Sequence, residues 1–442
     1  MRRAVIALLL PLVALLFAAP ASAVTVERVT SPGGIEAWLV RDHSNPIIAM
    51  EVSFRGGAAI EPAGKAGLAN MVSGLLDEGA GPFDSQTFQG KLEDLAIGLS
   101  FDAGKDSFRG HLKTLTDNRD TAFDLFRLAL TQPRFDKEPV ERIRGQILTM
   151  LKRELQDPNS VAAREWFSLA FAGHPYATAV RGAPETVKGI TVGDLRDWSR
   201  RYIARDTMIV GVVGDITPEQ LGPLLDKTFA ALPAKAALFQ VSDTKPQAAG
   251  RVAVIPRDNP QSVAVFGQPG IKRDDADWYA AYVMNYILGG GGFSSRLTEQ
   301  VREKRGLAYS VYSYLQPFDH AGVIYGGVAT ENARLAESLA LIREEWRRMA
   351  EDGPTEKEMA DAKTYLTGSF PLSLDSTASI AGLLVAMQED NLGIDYLDRR
   401  NGYIEAVTLD DVKRVAKKLL DPAGLTVVVV GKPDGIQASV AQ

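Results

Sequence analysis

The chain has 442 residues, of which 45% are hydrophobic and 24% charged, and its 49 Lys and Arg against 55 Asp and Glu give a formal net charge of -6. This composition is typical of a globular protein. The negative balance supplies no basic surface for a phosphate backbone, which argues against nucleic acid as a partner. Because the chain has no Cys, disulfides, Cys-ligated zinc, iron–sulfur clusters and cysteine nucleophiles are excluded.

The first 23 residues have the pattern of a secretory signal. Met1-Arg2-Arg3 precedes an apolar run over residues 4–19, and Ala21-Ser22-Ala23 follows. This charged, apolar and A-x-A order is typical of a cleaved signal peptide, and the run is shorter than the roughly 20 residues that span a bilayer. A membrane anchor is the alternative. We expect cleavage of residues 1–23, a periplasmic location in a bacterium, and no membrane span afterwards, because no later segment approaches that length.

Residues 65–77 predict a core-facing helix. Apolar residues at positions 68, 71, 72, 75 and 76 form the stripe of a helix that packs on a core. Its other face presents Asn70, Ser73, Gly74 and Asp77. The segment Phe54-Arg-Gly-Gly and residues 61–69 precede this helix. A second helical stretch over residues 141–154 contains no Glu between its two ends.

A long internal repeat indicates two related halves. A helix-period segment and an apolar strand follow Thr191 and end at Gly214, and the same order runs from Thr408 to Gly431, 217 residues later at both ends. Strands, then helices, then a closing helix and strand predict an α+β fold of two homologous lobes, each a mainly antiparallel sheet with helices packed on one face. We expect lobes over 24–235 and 250–442, joined by a linker over 236–249.

Four consecutive glycines, residues 289–292, suggest a phosphate loop at first sight. Neither Lys-Ser nor Lys-Thr follows at the Walker spacing, so that interpretation fails. The stretch instead predicts a helix end, a glycine turn, and a new helix capped by Ser294 or Ser295. That helix stops at Gly306, and the alternating pattern over 307–314 predicts a strand.

The four His residues do not predict a metal site. No two of them have the i, i+3 or i, i+4 spacing that places two ligands on one helix face, so a structural or solvated role is favoured for each. They are His43, His111, His174 and His320.

The helix over 65–77, with the segments before it, resembles the start of the pitrilysin/insulinase-type (M16) zinc peptidases. Active members carry H-x-x-E-H there, two zinc-binding His and a Glu that acts as general base. In this chain Asn70, Ser73 and Gly74 occupy those three positions, and none can perform the role. The third ligand of the family, a Glu, would fall around residues 148–151, in the apolar part of the stretch over 141–154.

The stretch over 289–312 resembles the second signature of the same family, in which an Arg and a Tyr seven residues later face the proteolytic chamber. Arg302 and Tyr309 match it on either side of Gly306. Both side chains are hydrogen-bond donors that suit a peptide carbonyl. The alternative is a solvated helix charge and an ordinary strand residue.

The resemblance covers nearly the whole mature chain and implies a function. Half-size M16 members work as pairs of two-lobed subunits, in which one subunit carries H-x-x-E-H and the other supplies the Arg and Tyr. We therefore expect a non-catalytic, substrate-binding subunit of a periplasmic heterodimeric zinc metallopeptidase. It would be inactive alone, with no cofactor of its own, and zinc would sit in the catalytic partner.

The substrates implied are unfolded peptides that add as a strand to a sheet edge, and residues 99–104 resemble that edge. A non-proteolytic M16-like scaffold or assembly protein is the main alternative. An autonomous peptidase with other ligands is a weaker one.

Overall fold

The computed structural model describes residues 24–237 and 240–439, so the expected signal peptide lies outside the described residues. Within them the chain forms two β-sheets and the helices that cover them. The strands are β1 Glu27–Thr30, β2 Glu36–Arg41, β3 Ile47–Arg55, β4 Gly98–Ala103, β5 Ser107–Leu115, β6 Met208–Gly214, β7 Val252–Pro256, β8 Gln261–Pro269, β9 Ala308–Pro317, β10 Gly322–Glu331 and β11 Thr426–Gly431.

The α-helices alternate with these strands in two similar series. They are α1 Leu68–Ser73, α2 Ser85–Asp94, α3 Arg119–Thr131, α4 Lys137–Glu154, α5 Pro158–Ala170, α6 Pro184–Lys188, α7 Val192–Tyr202, α8 Pro218–Phe229, α9 Trp278–Asn285, α10 Leu335–Glu351, α11 Glu356–Gly368, α12 Thr377–Glu389, α13 Tyr396–Ala406 and α14 Leu409–Leu419.

Apart from β1, which has no counterpart in the second sheet, the two sheets share one topology, which confirms the α+β fold of two related lobes. The first has the order β1-β2-β6-β3-β5-β4 and the second the order β7-β11-β8-β10-β9. Each has one parallel pairing, β2 with β6 and β7 with β11, and is otherwise antiparallel. The repeat is close, since α7 and α14 begin and end at positions 217 residues apart. Thr191 and Thr408 cap these two helices in the same way, each accepting the backbone N–H three residues later.

Each sheet packs its own helices on one face, as expected. On the opposite face, however, each sheet receives a helix from the other half of the chain. Helix α5 lies on β8 and β11 of the second sheet, and α12 lies on β3 and β6 of the first. Trp166 of α5 is fully buried there and its indole donates to the backbone oxygen of Thr426 over 3.2 Å. The halves are therefore interlocked by two reciprocal helices.

The segment between the halves is held by backbone hydrogen bonds at several points. Ala237 donates to the Arg201 carbonyl, Thr244 to His320 and Gln247 to Ala170. The domain boundaries and the linker over 236–249 remain predictions from the sequence.

Among residues 24–237 and 240–439, no single helix is long and apolar enough to cross a membrane. Two consecutive segments, Glu356–Leu374 and Thr377–Glu389, pass that length and composition test when taken together across a bend of 117°.

Candidate functional site

Helix α1, shorter than the predicted helix over 65–77, carries Asn70 and Ser73, and Gly74 is the residue that ends it. These are the three positions at which the resemblance places a zinc motif. Glu61 caps the N-terminus of α1, accepting hydrogen bonds from the backbone N–H groups of Gly67 at 3.0 Å and Ala69 at 2.7 Å. Burial raises the pKa of the Glu61 carboxyl to about 8, against the opposing effect of these amides. The Glu61 carboxyl group is therefore engaged by the helix terminus, where it fixes the start of α1.

The α1 side chains at the motif positions turn inward to the protein or are absent. Ser73 is only 4% exposed, and its hydroxyl donates to the backbone oxygen of Asn70 over 2.9 Å. A Cβ on Gly74 would lie 3.3 Å from the Ile143 side chain of α4, which is tight contact. Helix α4 faces the core with the buried residues Ile143, Ile147 and Leu151. An amide, a hydroxyl and a glycine against an apolar wall do not fit zinc.

The described segments, 24–237 and 240–439, contain no group of three or more His, Asp and Glu placed to hold a metal ion. The four His side chains lie in separate contacts. His43 pairs with Asp215, His174 with the Ser242 carbonyl, and His320 with Asp243. His111 lies between Asp102 at 2.6 Å and Glu51 at 3.2 Å, and these hydrogen bonds raise its pKa to about 9.

The glycine run contains the predicted turn, but the preceding helix extends further than predicted and includes Gly289 and Gly290. Helix α9 continues into a π-helical turn over Tyr286–Gly290, and a second π-helical turn covers Thr298–Glu303. A Cβ on Gly289 would lie 2.7 Å from the backbone nitrogen of Ser313, so only glycine allows this approach to β9. Gly292 has a φ of +56°, which favours glycine. Ser295 is the cap, since its hydroxyl accepts the Thr298 N–H.

The structure brings Arg302 and Tyr309 together. Arg302 lies on the second π-helical turn, of a kind that often marks functional positions, and Gly306 with a φ of +57° ends that turn. The chain then enters β9, which places the Tyr309 ring 4.9 Å from the Arg302 guanidinium carbon. Tyr309 is 83% exposed. Two donors therefore stand at the surface on one edge of the second sheet.

Phe293 joins this pair and was not recognised from the sequence. Its ring centroid lies 4.6 Å from the Arg302 guanidinium carbon, and the side chain is 69% exposed. A large apolar residue next to a glycine run was the available signal, but the loop conformation that aims it at Arg302 is not readable from spacing.

The strand expected to resemble a peptide-binding edge does lie at an edge. β4 ends the first sheet, and β9 ends the second at the equivalent place. On β4, the Asp102 carboxylate is engaged by His111. On β9, Tyr312 and Tyr314 stack with ring centroids 6.0 Å apart and are about 40% exposed. The second edge therefore carries the larger accessible aromatic surface.

The fold and the site together define a class of protein, a two-lobed α+β chain with the topology of a zinc peptidase and no zinc ligands on the motif helix. A family model described as the peptidase M16 inactive domain matches residues 189–366. The chain is similar to proteins of the M16 peptidase family over most of its length, as its two motifs predict.

Similar proteins agree with this assignment. The non-peptidase homolog YmxG of Helicobacter pylori is 29% identical, over 81% of this chain and 83% of its own length. An uncharacterized zinc protease of Streptomyces coelicolor is 27% identical over 90% of this chain and 87% of its own. The crystal structure of a peptidase M16 inactive domain from Pseudomonas fluorescens has a TM-score of 0.87 and 29% identity, and the match covers 94% of this chain and 100% of that one. The chain is thus similar to inactive, non-catalytic M16 proteins.

Proposed function

We propose that the chain is the non-catalytic, substrate-binding subunit of a periplasmic heterodimeric zinc metallopeptidase that degrades unstructured peptides. The observation that carries this proposal is the pairing of two opposite features in one chain. The motif helix has no ligand set, yet Arg302, with 29% of its side chain exposed, lies beside the exposed Tyr309. An aromatic side chain that contacts a cation and stays exposed contributes little to core packing and is accessible to a ligand.

The proposed active site is composite. The catalytic subunit carries H-x-x-E-H and supplies the zinc ion, which polarises the scissile carbonyl and activates water. The guanidinium of Arg302 and the hydroxyl of Tyr309 donate hydrogen bonds to a peptide carbonyl and orient it. Strand β9 lies at the edge of the second sheet beside them, the position at which an extended peptide adds as a further strand. Neither residue acts as a base or a nucleophile.

The test is reconstitution with a subunit that contains H-x-x-E-H. The isolated chain should cleave no internally quenched, unstructured peptide and should hold no zinc, whereas the pair should cleave it. Arg302→Ala in this chain should lower kcat/KM by roughly ten-fold to a hundred-fold, because it removes a charged hydrogen bond worth about 1.5–3 kcal/mol. Tyr309→Phe should have a smaller effect in the same direction.

Arg305→Ala is the matched control. Arg305 carries the same charge three residues away, but its guanidinium is occupied by Gln300. This variant should leave cleavage within about two-fold of wild type. Full activity of both Arg302→Ala and Tyr309→Phe would contradict the proposed roles and favour a scaffold or assembly protein. The periplasmic location is tested separately, by fractionating cells that express the full chain with its first 23 residues.

A further inference from the structure

Two aromatic rings contact the Arg302 guanidinium. Its central carbon lies 4.6 Å from the Phe293 centroid and 4.9 Å from the Tyr309 centroid. Such distances are those of cation–π contacts. Tyr309 belongs to the signature pair, whereas Phe293 belongs to the glycine loop and has no role in the function proposed above.

Burial does not explain Phe293. It is 69% exposed and is absent from the hydrophobic clusters formed by the described residues. Within residues 24–237 and 240–439, the ring of Phe293 makes one aromatic or cation–π contact, and its partner is Arg302. A single exposed apolar residue needs no explanation by itself, so the inference rests on the contact of Phe293 with Arg302.

The loop that presents Phe293 is firmly anchored on both sides. Before it, Gly289 packs against the backbone of β9. After it, Ser295 is fully buried and its hydroxyl donates to the Gly292 carbonyl over 2.8 Å. The ring is therefore held over Arg302 by a rigid backbone.

The ring contacts bear on which part of Arg302 can bind a ligand. A guanidinium is planar and its N–H donors lie in that plane, so a ring that stacks on one of its faces leaves the edge open to a ligand. The Nε end of the edge faces Glu303 at 3.3 Å. In the segments that the structure describes, the two Nη groups make no hydrogen bond, so their donors remain available to an acceptor.

We propose that Phe293 is a positioning residue that stacks on Arg302 and holds its Nη edge toward the carbonyl of a bound peptide. This inference rests on the proposed function and adds a residue to it. It also explains why the glycine loop ends in an exposed aromatic residue rather than a polar one.

The first experiment needs neither partner nor peptide. In the isolated full chain with labelled arginine, the Arg302 Nε–Hε signal is assigned by its disappearance in Arg302→Lys. Phe293→Ala should move this signal downfield and increase its fast motion, because one shielding ring is gone. Phe293→Trp should keep it near the wild-type position, and Leu115→Ala, an exposed apolar residue of the other lobe, should not move it.

The second experiment uses the reconstituted pair with the quenched peptide. Phe293→Ala should raise KM about two-fold to five-fold, as expected for the loss of an exposed cation–π contact, with a smaller change in kcat. Phe293→Trp should restore KM. In an Arg302→Lys background, Phe293→Ala should cause little further loss.

The two experiments separate the two proposals. An Arg302 signal that is unchanged in Phe293→Ala overturns the positioning role, and so does a shifted signal with unchanged KM. A wild-type pair that cleaves no peptide contradicts the proposed function, and the position of the Arg302 signal then decides alone whether Phe293 holds that side chain.

Discussion

At the residue scale, the sequence identifies which side chains matter but not how they are held. The absence of zinc ligands at Asn70, Ser73 and Gly74 is visible by motif alignment alone. The packing of Gly74 against Ile143, and the stacking of Phe293 on Arg302, depend on contacts between distant segments. Residue type and spacing therefore predict the candidate chemistry, while orientation requires the fold.

Restoring the motif residues should not restore zinc binding. The triple variant Asn70→His, Ser73→Glu, Gly74→His supplies two ligands and a base, but α4 offers Ile143 and other apolar residues in place of the third ligand. Protein zinc sites need at least three ligands. We expect well under one zinc per chain after dialysis, measured by elemental analysis.

The same triple variant should also be less stable. A His side chain at position 74 collides with Ile143, and overpacking of this kind costs about 1–3 kcal/mol. Asn70→His alone, at a half-buried position, is the control and should unfold near the wild-type denaturant midpoint. Stoichiometric zinc in the triple variant would show that α1 and α4 can still form a metal site.

His111 should make stability depend on pH. Its neighbours are Glu51 on β3 and Asp102 on β4, while Arg109 on β5 and Glu389 on α12 form the adjoining ion pair. Hydrogen bonds to Asp102 and Glu51 raise the folded-state pKa of His111 to about 9, above its unfolded value of about 6.5. The contribution of protonated His111 to the free energy of unfolding is thus complete below pH 6.5 and is lost as pH rises through 9.

The measurement is urea unfolding at pH 6.5 and pH 9 for wild type and His111→Gln. Wild type should be the more stable of the two at pH 6.5, and the difference should shrink at pH 9. Equal differences at both pH values would mean that the imidazole is not charged in the folded protein.

At the element scale, the sequence predicts those helices and turns whose signals lie in neighbouring residues. The capping residues Thr191 and Thr408 mark α7 and α14, and the glycine run marks a turn. The sequence did not predict the exchange of α5 and α12 between the halves. Neither helix shows in its own residues which sheet it covers, and the sheet that each one covers is more than 90 residues away.

Truncation of Trp166 should destabilise both halves at once. The ring is fully buried on the second sheet, where it contacts Tyr325 at 5.2 Å and leaves no room for a Cβ at Gly267. Replacing a buried Trp by Ala costs about 3–5 kcal/mol. Trp166→Ala should therefore lower the unfolding free energy by that amount in a single cooperative transition.

Trp278 is the comparison, because it is only partly buried, against the second lobe's own core. Trp278→Ala should cost clearly less than Trp166→Ala. A biphasic unfolding curve for Trp166→Ala, with the first half intact while the second melts, would contradict the interlocking of the halves.

At the scale of the whole molecule, the two lobes form one interlocked body. Besides α5 and α12, side chains pair across the halves: the Tyr176 hydroxyl accepts the His320 N–H, and Arg109 bonds Glu389. The repeat in the sequence predicts two lobes, but it suggests two separable units on a linker. Contacts between distant segments tie the units together, and these are not encoded in either repeat alone.

A cut between the halves should therefore leave the protein folded. A protease site inserted between Lys235 and Ala236 lies at an exposed position next to the residues tied to Asp206 and Arg201. After cleavage, the two fragments should co-elute in size-exclusion chromatography and melt together, because α5 and α12 each remain buried on the opposite fragment's sheet. Expressed alone, either fragment should expose the sheet face that its missing helix covers, and it should aggregate or unfold. Fragments that separate under native conditions, each with its own sharp unfolding transition, would show that the lobes are independent domains. The two lobes of this chain could then close around a peptide by themselves, without a partner subunit.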